Sequence, residues 1–187
     1  MPSDFPEICH LWQWAVTLKP VNQFNAGVLI LRVVFGLFLA YHGYNKLFGP
    51  GGIAGTVRWF GSIGMRWPQL QARLAATTEI GSGVMMAVGL LTPLAAAGMI
   101  GLMIVAIVVE HWKVGFFIFK PNQGWEYCAS IAIVAFVIAM VGPGRWSVDH
   151  AIGINWHGWT GAVIAAVAGI AGAVTHLAIS YRPPKEP

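Results

Sequence analysis

The chain has very little charge. Only 10% of its 187 residues are Asp, Glu, Lys or Arg, and 57% are hydrophobic, whereas an ordinary soluble domain has about 25% charged residues. This shortage excludes a typical water-soluble globular protein. The formal net charge of +4 is too dilute for the basic surface that nucleic-acid binding needs, so we expect no nucleic-acid partner. We interpret the excess of cations as a signal of orientation in a membrane.

Cysteines and catalytic motifs are also scarce. Cys9 and Cys128 are the two cysteines, and no Cys-x-x-Cys occurs, which argues against dithiol exchange. The sequence has no Gly-x-Gly-x-x-Gly, no nucleophile elbow and no zinc-binding spacing, so we expect no metal site. The chain therefore has no cofactor motif of its own, and any chemistry must come from dispersed side chains.

Five long apolar runs are present instead. A helix rises about 1.5 Å per residue and needs roughly 20 residues to cross about 30 Å of hydrocarbon. The runs lie near residues 26–48, 74–91, 94–112, 125–141 and 159–181. They predict an all-α polytopic bundle in contact with the lipid bilayer. Thr92-Pro93 leaves room only for a tight turn, so the second and third helices should be antiparallel neighbours.

The remaining segments divide the chain into three parts. We predict an interfacial segment over 1–25, a four-helix membrane domain over 26–150, and an additional membrane helix with a short tail over 151–187. The first segment has apolar residues at helical spacing, namely Ile8, Leu11, Trp12, Ala15 and Val16, which favours a helix lying on the membrane surface. The long connection 49–73 is rich in Trp and Arg and predicts a surface helix or a re-entrant segment.

The fifth run carries a stripe of small residues. They recur at every fourth position as Gly161, Ala165, Gly169 and Ala173. Such stripes permit close contact between helices. Packing within the chain's own bundle is favoured over contact with another subunit.

The cations predict an orientation. We call the membrane face that holds the N-terminus side A and the opposite face side B. Five crossings place eight of the eleven cations on side B, namely Lys46, Arg58, Arg66, Arg73, Lys113, Lys120, Arg182 and Lys185. The positive-inside rule then makes side B cytoplasmic, with the N-terminus outside and the C-terminus inside.

Ionisable residues from four of the helices fall at one depth near side B. They are His42, Lys46, Glu79, Glu110, His111 and Glu126. Burying such groups in a bilayer is costly, so they are expected to face the bundle interior and to pair. The sequence therefore predicts a polar pocket beneath the side-B surface.

Within this layer, Glu79 is the deepest acid. His42 and Lys46 are four residues apart on one helical face, and we expect a Lys46–Glu79 ion pair or a His42–Glu79 hydrogen bond. Two interpretations stay open: the network fastens helices together, or Glu79 or His42 exchanges a proton with a lipophilic ligand. Haem ligation by His42 and His111 is disfavoured because their spacing is not that of a cytochrome.

One buried cation is predicted near side A. Arg32 lies about two turns inside the first helix, with no acid near it in sequence. Asp149 follows the segment Gly142-Pro143-Gly144 and can reach back into the bundle. We therefore predict a structural Arg32–Asp149 ion pair.

Several segments in order resemble the DoxX family of small bacterial membrane proteins. They include Tyr41-His42-Gly43-Tyr44-Asn45-Lys46-Leu47-Phe48-Gly49, Gly89-Leu90-Leu91-Thr92-Pro93, Gly124-Trp125-Glu126-Tyr127 and Gly142-Pro143-Gly144-Arg145-Trp146-Ser147-Val148-Asp149. The resemblance implies a four-helix membrane domain linked to redox processes, since relatives are subunits of thiosulfate:quinone oxidoreductase or membrane partners of detoxification enzymes. Carried onto this sequence, the motif residues are His42, Lys46, Glu79, His111 and Glu126.

Two functions follow as expectations. The first is an inner-membrane subunit of a redox complex that holds a quinone-like headgroup in the side-B pocket, with Glu79 or His42 exchanging its proton and electrons coming from a partner subunit. The second is a structural or assembly subunit, in which the polar layer fixes helix register and the fifth helix docks a larger complex. A small-solute carrier would need broken helices or duplicated halves, and neither is evident.

Overall fold

The computed structural model describes the backbone of residues 5–184 and the side chains of residues 22–184. Within that range the chain forms seven α-helices, namely α1 (Phe5–Phe48), α2 (Gly52–Ser62), α3 (Pro68–Val88), α4 (Thr92–Ala106), α5 (Glu126–Val141), α6 (Val148–Ala151) and α7 (Trp159–Ser180). A single π-helical turn, Ile107–His111, extends α4. The predicted all-α membrane bundle is confirmed.

The helices that correspond to the five predicted spans differ in composition. Asn22–Phe48, Thr92–His111 and Trp159–Ser180 are long and apolar enough to cross a bilayer, and Glu126–Val141 is apolar but shorter. α3 has 21 residues and is more polar, yet Gln71, Glu79 and Ser82 lie on its buried face. A helix in lipid turns polar groups inward, because hydrocarbon offers them no hydrogen-bond partner.

The helices pack around α4. α4 contacts α3, α5 and α7, and α1 packs on α3. Gly36 of α1 and Gly83 of α3 face each other, and a Cβ added to either would come within 2.5 Å of the other's carbonyl oxygen. Close approach of the two backbones therefore requires glycine at both positions.

The small-residue stripe of α7 packs inside the bundle, as predicted. Its members Gly161, Ala165, Gly169 and Ala173 are all buried. A Cβ added to Gly169 would meet the carbonyl oxygen of Ala97 in α4 at 3.0 Å. The opposite face of α7 exposes Val163, Val167, Ile170 and Val174, and such a face contacts the lipid bilayer.

The connection between α3 and α4 agrees with a further prediction. α3 ends at Gly89 with a φ of 70° and α4 begins at Thr92 with Pro93 in its first turn, so the tight turn is confirmed. α2 lies in the long connection 49–73 and packs against α1 and α3; whether it is a surface helix or a re-entrant segment stays a prediction. The C-terminal end of α7 pairs with the chain after α2, where the Arg182 amide donates to the Gly64 carbonyl at 2.9 Å.

The start of the first helix differs from its predicted position. α1 begins at Phe5 and runs unbroken to Phe48, whereas the predicted start is near residue 26. Pro20, a residue that disfavours a helix interior, lies within α1 and does not end it. The predicted apolar face of the N-terminal segment lies outside the residues whose side chains are described. The division of the chain at residue 25 stays a prediction.

Candidate functional site

A cavity of about 390 Å³ lies among α2, α3, α4 and α7 at the side-B end of the bundle. Its walls are mostly apolar. The polar side chains that line it are Lys46, Gln71, Thr78, Glu79, Glu110, His111 and His176. Ligand sites have volumes of about 300–1,000 Å³ and combine apolar walls with a few convergent polar groups. The cavity therefore has the size and lining of a small-molecule site.

Lys46 and Glu79 form the ion pair at the centre of this lining. Lys46 Nζ donates to Glu79 Oε1 at 2.7 Å, which joins the end of α1 to the middle of α3. Of the two contacts that the sequence predicted for Glu79, the ion pair with Lys46 is the one formed. Glu79 is buried, with 4% of its surface exposed, whereas the Lys46 side chain is 17% exposed.

Two buried oxygens in the cavity wall have no partner. Glu79 Oε2 accepts no hydrogen bond, and neither does Gln71 Oε1, whose own Nε2 donates to Ser180 Oγ at 2.9 Å. Leaving a buried acceptor unpaired costs about 1–3 kcal/mol. A ligand group that donates a hydrogen bond to either oxygen would recover that energy.

The π-helical turn brings Glu110 and His111 to the cavity. One extra residue in a turn rotates the side chains that follow it, and such turns are frequent at functional sites. His111 Nδ1 lies 2.7 Å from the carbonyl oxygen of Gln123. Because a carbonyl can only accept, Nδ1 donates, and this bond fixes the imidazole ring between the cavity and the following loop.

His42 and Glu126, two of the five predicted ligand-binding residues, do not line the cavity. His42 is exposed, and its Nε2 lies 3.5 Å from the Tyr127 hydroxyl of α5. Glu126 Oε2 accepts from the backbone amide of Ile118 at 3.3 Å and so holds the preceding loop. Four residues of an α-helix turn through about 400°, so the side chains of His42 and Lys46 point in directions about 40° apart around the axis of α1. His42 faces α5, whereas Lys46 faces α3.

Three polar residues of the cavity lining, Gln71, Thr78 and His176, were not predicted from the sequence. Gln71 lies in the connection that was interpreted as interfacial, and His176 lies in α7, which was treated as lying outside the four-helix domain. The fifth apolar run contains no Asp, Glu, Lys or Arg, and His176 is its single histidine. It lies near the side-B end of that run, a signal that could have placed it in the polar layer.

The predicted Arg32–Asp149 ion pair is not formed as a direct contact. The Arg32 guanidinium donates to the carbonyl oxygens of Ala87 at 3.3 Å and Trp146 at 2.6 Å. Asp149 accepts from the amides of Leu91 and Thr92 and from the Thr92 hydroxyl. The carboxylate caps the start of α4 because the first amides of a helix have no acceptor within it. The two charges still attract each other at longer range.

Comparison with known proteins assigns the chain to a family. A sequence model described as DoxX matches residues 27–112. The chain is 34% identical over 128 residues to "Putative oxidoreductase CatD" of Bacillus subtilis (strain 168), an alignment that covers 68% of this chain and 88% of that protein. The chain belongs to the DoxX family.

A second relative in this family is "Inner membrane protein YphA" of Escherichia coli (strain K12). It is 29% identical over 127 residues, which cover 66% of this chain and 88% of that protein. No solved structure matches the chain. The segment matched by the family model contains Lys46, Glu79 and His111, whereas His176 lies beyond it. Helix α7, which lies outside the matched segment, thus adds the His176 side chain to a cavity whose other polar residues come from that segment.

Proposed function

We propose that this DoxX-family protein is a bacterial inner-membrane subunit of a quinone-linked redox complex and holds a quinone-like headgroup in the side-B cavity. One observation carries the proposal. A buried carboxylate, Glu79, has one oxygen on Lys46 and the other unpaired in the wall of an apolar cavity. A partly desolvated carboxylate facing a lipid-accessible ligand is suited to exchange a proton with it.

The chemistry of a quinone fits this lining. Its ring is flat and apolar, as the cavity walls require, and its oxygens can accept hydrogen bonds from the Lys46 ammonium. Reduction of a quinone to a quinol takes two electrons and two protons. In this proposal a partner subunit supplies the electrons, and Glu79 passes on protons that enter from side B. The naming of one relative as an oxidoreductase supports a redox role.

The other polar residues of the cavity give the proton a route. Glu110, His111 and His176 line the same cavity as Glu79 and lie nearer to the side-B ends of their helices. Acids and histidines that line cavities in membrane proteins commonly serve as proton relays. The proposed path therefore runs from the side-B surface through these groups to Glu79.

The rival function is a structural or assembly subunit. The observation that favours it is the Lys46–Glu79 pair itself, since this contact joins α1 to α3. Interhelical polar contacts in membranes contribute about 0.6–2 kcal/mol each. Under this alternative, loss of the Glu79 charge would weaken assembly and leave quinone binding unaffected.

Quinone content of the native complex separates the two functions. We would purify the protein with its native partners, extract the lipids, and compare wild type, Glu79→Gln and Thr77→Val. Thr77 is an exposed residue of the same helix whose hydroxyl bonds only to backbone carbonyls of its own helix. We would also measure electron transfer to quinone in the three preparations. We expect quinone in all three, and electron transfer should fall about tenfold or more in Glu79→Gln only, with unchanged subunit composition, because the amide cannot exchange a proton. Absence of quinone from the wild-type complex, equal electron transfer in all three, or loss of partners in Glu79→Gln would overturn the proposal.

A further inference from the structure

We infer that the cavity binds the reduced form of its ligand, the quinol, more tightly than the oxidised quinone, and that Glu79 is the residue that discriminates between them. The inference rests on the proposed function, because it names the redox form that the same cavity prefers. It concerns binding, and so it can fail while the proposed function stands.

Glu79 offers the ligand an acceptor and no donor. Burial disfavours ionisation of Glu79, whereas the Lys46 ammonium, with Nζ 2.7 Å from Oε1, favours the ionised carboxylate, and from this direct contact we infer an ion pair. An ionised carboxylate has no hydrogen to donate. Oε2 is therefore a buried acceptor that needs a donor from the ligand. A quinol hydroxyl supplies one, whereas a quinone carbonyl does not.

The neighbouring polar groups do not reverse this preference. The Lys46 ammonium has three N–H donors, of which Glu79 takes one, so donors remain for the carbonyl oxygen of a quinone or the hydroxyl oxygen of a quinol. The Gln71 amide has an unpaired oxygen, but an amide can present its oxygen or its nitrogen to a ligand. Of the two unpaired buried oxygens in the cavity wall, the one on the Glu79 carboxylate cannot be exchanged for a donor, so Glu79 decides the selectivity.

The size of the preference follows from the unpaired acceptor. A site built to hydrogen-bond a hydroxyl rejects the analogue that lacks it, because the buried acceptor then stays unpaired. For one such acceptor we expect quinol to bind about 5- to 150-fold more tightly than quinone. Tighter binding of the reduced form raises the reduction potential of the bound pair, by about 30 mV per tenfold for a two-electron couple. The cavity therefore favours reduction of quinone by a partner subunit.

Binding of a matched redox pair tests the inference. The full chain in lipid nanodiscs would be titrated anaerobically with duroquinone and duroquinol, whose fully methylated rings have no site for thiol addition. Bound ligand is measured by equilibrium dialysis, and no variant is needed for the primary result. Tighter binding of duroquinol by about fivefold or more supports the inference, and equal binding or tighter binding of duroquinone overturns it. Failure of both forms to bind would instead overturn the proposed function.

Two variants assign the preference to Glu79. Glu79→Gln retains an acceptor for Lys46 and gains an amide that can also donate to a carbonyl, so its preference should fall to about twofold or less. Gln69→Leu changes an exposed residue of the same helix that does not line the cavity, and it should keep the wild-type preference. If Glu79→Gln keeps the full preference for duroquinol, another group discriminates and this assignment is wrong.

Discussion

Two carboxylates are buried at opposite ends of the bundle, and their surroundings differ. Asp149, near side A and 2% exposed, accepts three hydrogen bonds, from the Leu91 amide at 2.7 Å and from the Thr92 amide and hydroxyl at 2.9 and 2.6 Å. Glu79, near side B, accepts one from Lys46 and has a second oxygen with none. A carboxylate whose two oxygens both accept hydrogen bonds from the protein stabilises the fold. A carboxylate beside a cavity with one oxygen unpaired can accept a hydrogen bond from a ligand.

The cations near these carboxylates differ in burial and in the partners of their terminal nitrogens, although the buried Arg32 Nε has no hydrogen-bond partner among the described residues. Arg32 is fully buried and donates to two backbone carbonyls, which ties α1 to the end of α3 and to the loop before α6. Its planar fork suits two fixed acceptors. Lys46 is partly exposed and lines the cavity. A lysine is a point charge with rotatable donors, so it can hold Glu79 and still turn to a ligand.

Asp149→Ala should have the largest effect, because it removes the acceptor of three donors and the nearest negative charge to Arg32. We expect the free energy of unfolding to fall by about 3–5 kcal/mol, as for other broken buried charge networks. Denaturant unfolding in detergent micelles measures the change. His150→Ala alters the exposed neighbour and should cost less than about 0.5 kcal/mol. If Asp149→Ala lowers the free energy of unfolding by less than about 1 kcal/mol, the hydrogen bonds of Asp149 do not stabilise the fold as this comparison requires.

Arg32→Met should follow, with a loss of about 1–3 kcal/mol, since the carbonyls of Ala87 and Trp146 lose a donor. The same unfolding assay applies. Arg32 and Asp149 belong to one network, so the double variant with Asp149→Ala should lose less than the sum of the single losses. Strict additivity would show that the two charges are energetically independent.

Glu79→Gln should leave the fold nearly unchanged, which sharpens the contrast with Asp149. The amide still offers an oxygen to Lys46, so we expect the free energy of unfolding to change by about 1 kcal/mol or less, although ligand binding is impaired. Unfolding curves recorded beside those of Asp149→Ala give the comparison. If Glu79→Gln destabilises the protein as strongly as Asp149→Ala, both carboxylates are structural.

The smallest expected effects are changes in duroquinol affinity on substitution of His176 or His42. His176→Ala removes a polar group from the cavity wall and should lower duroquinol affinity by about 2- to 10-fold, the range for one ordinary hydrogen bond. His42→Ala alters a side chain that faces α5, and the affinity should change by less than about twofold. Equilibrium dialysis measures both. The opposite ranking would mean that the sequence motif predicts the ligand site better than the cavity lining does.

The sequence predicted much of the fold for a clear physical reason. Hydrocarbon requires long apolar helices, so apolar runs identified the spans, and Thr92-Pro93 marked the turn between α3 and α4. α3 itself was predicted to begin at residue 74 but starts at Pro68. The polar residues of its first turns, Gln69, Gln71 and Arg73, hid that start because they interrupt the apolar run. Gln71 is buried, whereas Gln69 and Arg73 are exposed.

The sequence by itself determined depth. A fixed rise per residue places every ionisable side chain at a known height along its helix, and this put Lys46, Glu79 and His111 in one layer.

The tertiary structure decided toward which neighbour each side chain points around its helix axis. Packing of α1 against α3 and of α7 against α4 set those rotations. It brought His176 to the cavity, turned His42 and Glu126 away from it, and gave Asp149 the backbone of α4 as its partner. Helical rise is local and the same in every helix, whereas rotation depends on which neighbours a helix finds.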